Sequence, residues 1–250
     1  MKNLIMREFY LGRKTIRICF ITILVFILIG NLVLLSARCG NIAKYVSTEN
    51  LDMIFPYVRL GLAFMVFFAC MDVSGIIRVI FSDYSAGFNK YLNTTPLKMV
   101  KFIGAKYISM FILFVCGILL GFINLFISNA VSHTTLNKGD IAVIAFLCGI
   151  FLIAELLAAF LFIRFRKSSV ISFIGMVMMI LLMLLFFVFI VKSGAGDALG
   201  EGDYEGIYDI VIGFALKYIW IIIILVIVTA FASFYGSCKA AKSYGTKVLM

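Results

Sequence analysis

Nowhere in this 250-residue chain is there a G-x-x-x-x-G-K-[ST] phosphate loop, and a single histidine, His133, is present. Without that loop the chain has no ordinary means of cradling nucleotide phosphates. One histidine excludes bis-histidine haem ligation and an H-E-x-x-H zinc site. The six cysteines contain no C-x-x-C spacing, and the T-V-G-Y-G filter of potassium channels is missing. Charge is scarce as well, at 14% against roughly a quarter in soluble domains. An enzyme acting alone is disfavoured, and neither a metal nor a cofactor is expected in this chain.

What fills the sequence instead is apolar, 64% of all residues. The apolar runs have the ~20-residue length that crosses a ~30 Å hydrocarbon core as a helix. Barrel strands would be ~10 residues long and alternate apolar with polar, which these runs do not. The predicted fold is therefore an all-α membrane protein with six transmembrane helices, at about 18–37, 56–77, 107–128, 141–163, 169–191 and 211–235. An even number of spans puts both termini on one side.

Lys and Arg flanking the spans say which side. Lys2, Arg7, Arg13, Lys14 and Arg17 precede the first span, and Arg78, Lys90, Lys98, Lys101 and Lys106 lie between the second and third. Arg164, Arg166 and Lys167 join the fourth to the fifth, and Lys239, Lys242 and Lys247 follow the sixth. Only Arg38, Lys44, Arg59, Lys138, Lys192 and Lys217 fall to the other side. A multi-pass protein of the plasma membrane with cytoplasmic termini is expected. The net charge of +10 then reflects topology and anionic headgroups, with no nucleic-acid partner. The basic start and "LLSARC" imitate a signal peptide, but the apolar core exceeds 7–15 residues and the first span is expected to stay uncleaved. Cys19, Cys70, Cys116, Cys148 and Cys238 fall in or at the ends of spans and read as small buried hydrophobes; Cys39 falls outside.

Between two apolar runs stands "SDYSAGFNKYLNTTPLKMVKFIGAKY", Ser82 to Tyr107. Tyr84, Phe88, Tyr91 and Leu92 share one helical face, with Asp83, Asn89, Lys90 and Asn93 elsewhere. Ser82 or Asp83 is placed to cap this short amphipathic helix. Pro96 ends it and suits the first turn of another. In that second helix Lys98, Lys101 and Lys106 lie within about 140° of arc, leaving Leu97, Val100, Ile103 and Tyr107 for apolar surroundings. The aromatic face admits two partners, the lipid headgroup layer or a groove on a cytoplasmic subunit.

These residues resemble the cytoplasmic loop of bacterial ABC type-2 exporter permeases of the compact six-span kind, through Asp83, Gly87, Tyr91, Pro96, Lys98, Lys106 and Tyr107. The opening "MKNLIMREFYLGRKT" is similar to that family's N-terminal connecting helix, with Ile5, Phe9 and Ile16 on one face and Arg7, Lys14 and Arg17 on another. Thr94 and Thr95 depart from the pattern, which has a more apolar residue before the proline. The resemblance implies an amphipathic connecting helix at 1–17 and a coupling helix within 82–106. That helix would seat in a separate ATPase subunit through Asp83, Tyr84, Gly87, Phe88, Lys90, Tyr91, Leu92, Pro96 and Lys98. It further implies a second permease copy, identical or similar, and ATP with Mg²⁺ held by the partner alone. The implied activity is export of an amphipathic or hydrophobic substrate such as a small peptide.

Two acids lie within spans, Asp72 some 9 Å from Arg78 and Glu155 some 13 Å from Arg164 along a helix. At over ~2.5 kcal/mol near a bilayer centre, such charges face a bundle interior or water. They are candidates for the transport path or for structural hydrogen bonds. Gly117 and Gly121, and Ala145 and Gly149, have small-xxx-small spacing for close helix approach. Met176, Met178, Met179 and Met183 read as lipid-facing or core residues. The outer loop 192–210, with Asp197, Glu201, Asp203, Glu205 and Asp209, reads as an exposed loop, the alternative being that its acids draw cationic substrate away from an exit. The rival readings are a peptide-immunity or sensor protein without an ATPase, and a proton-coupled secondary transporter. The latter's inverted repeats are not found on comparing spans one to three with four to six.

Overall fold

The structure is a computed structural model and describes residues 1–39, 61–62, 79–80, 83, 99–133, 138–165 and 204–247. Four long helices account for most of these: α1 Lys2–Cys39, α2 Met99–Ser132, α3 Lys138–Phe165 and α4 Tyr204–Lys247. No strand occurs among the described residues. All four are long and apolar enough to cross a membrane, and they contain the expected first, third, fourth and sixth spans. The second and fifth, at 56–77 and 169–191, lie almost entirely outside the described residues.

Local chemistry explains the ends. Asp140 stands in the first turn of α3 and Arg164 in its last, each complementing the helix dipole. α2 stops at Ser132, and His133 follows at φ 50°, the left-handed conformation that terminates helices. The expected connecting helix and first span are one uninterrupted helix of 38 residues. Its length of ~57 Å exceeds the ~30 Å hydrocarbon core, so about half of it extends beyond.

Helix direction follows from contacts. Glu8 meets Lys106 and Asn31 meets Asn124, so α1 and α2 run parallel. In α3 and α4, Gly139 lies under Ile212, Gly149 under Ile222 and Phe160 over Gly236; these two are parallel as well. Tyr107 packs on Phe234 and Phe102 and Ile103 on Ala241, which sets α2 antiparallel to α4. The described residues between α1 and α2 descend along α1 in reverse order. Leu62 is against Gly30, Val79 against Gly12, and Asp83 on Arg7.

A core of Ile23, Ile80, Met110, Leu113, Ala159, Ile163 and Ala240 joins all four helices near one end. The outward faces are apolar instead of polar: Leu28 and Leu32 on α1, Phe111 and Phe126 on α2, and Trp220, Ile224 and Phe231 on α4 are exposed. Only 6% of the span-length stretch of α4 is buried. That inversion is what hydrocarbon, as a solvent, permits. Among the described cysteines Cys148 is buried as expected, Cys19, Cys116 and Cys238 are half-buried and Cys39 is exposed, all free thiols; Cys70 lies outside the described residues. Gly117 and Gly121 are buried in α2, whereas Ala145 is exposed and leaves Gly149 as the contact residue of its pair.

The parallel pairs bring the basic residues together. Lys2, Arg7, Arg13, Lys14 and Arg17 at the start of α1, Lys101 and Lys106 at the start of α2, Arg164 at the end of α3, and Lys239, Lys242 and Lys247 at the end of α4 share one end of the bundle. Arg38, Lys138 and Lys217 belong to the other half.

Candidate functional site

At this basic end four charged side chains close into a ring. Arg7 Nη1 donates to Glu8 Oε1 at 2.6 Å, and Arg7 Nη2 to Asp83 Oδ1 at 2.8 Å. Lys106 Nζ donates to Glu8 Oε2 at 2.8 Å and to Asp83 Oδ2 at 2.5 Å. Each cation thus touches both anions, and each anion both cations. Signs alternate around the ring and the sum is zero.

Sequence positions explain the assembly. Ile5, Phe9, Gly12 and Ile16 set the inward face of the first turns of α1, and Glu8 lies within that stripe, fully buried. Lys106 falls on the inward face of α2 beside Phe102, Ile103 and Ala105. Asp83 arrives from the stretch that contains Val79 and Ile80, both buried. Beneath the two cations lies the Phe102 ring, with the guanidinium carbon of Arg7 5.5 Å and Lys106 Nζ 4.7 Å from its centroid. An aromatic face there adds a cation–π attraction to the ion pairs. Taking the charges of Glu8, Lys106 and Asp83 out of water costs several kcal/mol per ion, which the mutual pairing offsets only because each has two partners.

Several expectations meet the structure here. Ser82 or Asp83 was expected to cap a helix whose residues, 84–92, lie outside the described residues; the Asp83 carboxylate accepts from Arg7 and Lys106. Lys106 was placed on one helical arc with Lys98 and Lys101, yet it is buried while Lys101 is exposed. The physical reason is that two carboxylates reach it, so its charge is matched inside the bundle. Val100, assigned to apolar surroundings, is exposed, and Ile103 is buried as expected. Glu8 escaped the sequence reading. Its signal was available, since it is the one acid among the first 48 residues.

The other coupling candidates, Tyr84, Gly87, Phe88, Lys90, Tyr91, Leu92, Pro96 and Lys98, lie outside the described residues, as does Asp72. Glu155 is half-buried in α3 and is not a member of the ring. No group of His, Cys, Asp and Glu suited to a metal ion occurs among the described residues.

A second polar cluster ties the same two helices nearer their other end. Asn31 Nδ2 donates to Ile27 O at 2.8 Å, one turn back, and to Asn124 Oδ1 at 3.0 Å. Ser128 Oγ donates to Asn31 Oδ1 at 3.1 Å. Between ring and clasp, Ile16, Cys19, Ile23 and Ile27 of α1 and Tyr107, Met110, Leu113 and Leu120 of α2 belong to the main core.

The arrangement joins helices by charge and hydrogen bonds inside an apolar bundle. Neither the curated proteins nor the solved structures yield a match to this sequence. The family model described as "ABC-2 family transporter protein" matches residues 51–242. Since that match spans most of the chain, including Asp83, Lys106, α2, α3 and most of α4, the protein is a multi-pass membrane protein and belongs to the ABC-2 transporter family as a membrane-spanning permease subunit.

Proposed function

We propose that this permease subunit works in an ATP-driven exporter, with ATP and Mg²⁺ bound and hydrolysed by a separate ATPase subunit. The segment 82–106 couples the two, seating Tyr84, Phe88 and Tyr91 in a groove of that subunit. The observation that carries the coupling role is the ring itself: Asp83, at the head of that segment, is held by ions from both α1 and α2. A displacement of the segment then acts on two membrane-spanning helices at once.

Six spans with cytoplasmic termini accompany this reading. The reverse-order contacts of Leu62, Val79 and Asp83 along α1 support a returning second span. The parallel packing of α3 and α4 supports another crossing between them. Basic residues gathered at one end support its cytoplasmic placement. A second permease copy completes the path, and Glu155 and Asp72 are candidates to line it. The cargo is an amphipathic or hydrophobic molecule such as a small peptide, since no inter-span stretch is long enough for a soluble capture domain.

Affinity purification of the tagged chain from its native membranes in mild detergent tests this. A subunit bearing a phosphate loop should copurify and be lost with Phe88→Asp while the chain stays inserted. Recovery of the intact chain alone would overturn the reading.

A further inference from the structure

Burial is graded around the ring. The side chains of Glu8 and Lys106 are 0% and 1% exposed, that of Asp83 7% and that of Arg7 26%. The Glu8–Lys106 edge, which joins α1 to α2 directly, is therefore sealed, and the Arg7–Asp83 edge forms the wet rim. Three members belong to α1 and α2, which share a further clasp at Asn31, Asn124 and Ser128. Asp83 enters from a separate stretch of chain.

Taking away one anion or the other has unequal consequences. Without Asp83, Glu8 still holds Arg7 at 2.6 Å and Lys106 at 2.8 Å, so the α1–α2 joint survives as a seat with one positive charge in excess. Without Glu8, the sealed edge is gone and the buried Lys106 and the half-buried Arg7 are left to share the Asp83 carboxylate. Well-packed apolar residues often hold a core at least as firmly as buried ions do, and the best-attested use of buried ions is to fix a register or a switch.

We infer that Arg7, Glu8 and Lys106 form a standing carboxylate seat and that Asp83 is its releasable occupant. This makes the three positioning residues for the segment that Asp83 heads. Seated, the ring is neutral; with Asp83 withdrawn past the Arg7 rim into water, the excess positive charge draws it back. The inference rests on the coupling reading above.

The test compares the tagged full chain with Asp83→Asn, Asp83→Glu and Glu8→Gln in native membranes. It measures chain abundance, thermal midpoint in mild detergent and the amount of copurifying phosphate-loop subunit. Asp83→Asn is expected to keep its abundance and its midpoint within about 3 °C of the parent. Its partner recovery should fall about tenfold and be kept by Asp83→Glu. Glu8→Gln should lower the midpoint by more than about 6 °C. Parental partner recovery in Asp83→Asn overturns the inference, and so does a midpoint loss as large as that of Glu8→Gln. Absence of a phosphate-loop subunit from the parent chain instead overturns the coupling reading, and the inference falls with it.

Discussion

Asn31 donates from Nδ2 to Asn124 Oδ1 across 3.0 Å, joining α1 to α2 about 35 Å along the helix from Glu8. The bond belongs to a short chain, because Asn31 also donates to Ile27 O and accepts from Ser128 Oγ. Polar pairs of this kind let helices find one partner where hydrocarbon offers no preference, and each contributes about 0.6 kcal/mol on average in a membrane, reaching ~1.7.

Replacing Asn31 removes the hub of that chain and leaves Asn124 Oδ1 buried without its donor. Asn31→Leu should lower stability by about 1–3 kcal/mol. The double variant Asn31→Leu with Asn124→Leu should cost less than the two single changes added, by about 1 kcal/mol. Unfolding of the four proteins in mixed micelles measures the cycle, and strict additivity would show that the two amides do not interact.

The ring makes a larger claim. Lys106→Met strips one cation from two buried carboxylates, and breaking a buried pair on one side costs about 3–5 kcal/mol. Lys101, five residues earlier and exposed, should tolerate Ala within about 0.5 kcal/mol. Pairing Lys106→Met with Glu8→Gln should restore part of the loss, since the remaining Arg7 and Asp83 then balance. Equal stability losses at Lys101 and Lys106 would contradict the burial that separates them.

How much of this was legible beforehand follows from the physics of each signal. Hydrophobic length found the spans that α1 to α4 contain, because a ~30 Å slab leaves few alternatives. The stripe of Ile5, Phe9 and Ile16 was legible by period, and Phe9 and Ile16 do pack on the main core. What a helical wheel cannot tell is which of two lysines on one arc meets an acid from elsewhere. Lys101 and Lys106 look alike until Glu8, 98 positions before Lys106, and Asp83 are brought beside one of them. Continuity was hidden for a related reason: nothing near Arg17 breaks a helix, and a change from amphipathic to apolar pattern marks the membrane edge without interrupting the backbone. The small-xxx-small signal was half right, since spacing marks a face and only packing says which of Ala145 and Gly149 is used.

Tyr107 fixes α2 to α4 at the same end as the ring. Its Oη shares a 2.9 Å hydrogen bond with Ser237 Oγ, and its ring stands edge-on to Phe234 at 5.7 Å. Tyr107→Phe keeps the ring contact and should cost about 0.5–1.5 kcal/mol. Tyr107→Ala loses both and should cost about 3–5 kcal/mol. Thermal midpoints in detergent separate the two, and indistinguishable midpoints would mean that the aromatic contact contributes nothing.

Close approach of α3 to α4 depends on glycine. At Gly149 an added Cβ would collide with Ile222, while at Gly236 it would come within 2.7 Å of Phe160. Phe160 meets Gly236 with the edge of its ring, and a rotation of that side chain can make room. Ile222 is branched at Cβ and has little freedom within a helix, so at Gly149 the helices themselves must part. Gly149→Val should therefore destabilise by about 1–3 kcal/mol or more, with Gly236→Ala milder. Shortening the opposing residue in Gly149→Ala with Ile222→Ala should recover stability relative to Gly149→Ala alone. If the double variant is the less stable, the contact is not steric, and the parallel α3–α4 pair is held by something other than the fit of Ile222 over Gly149.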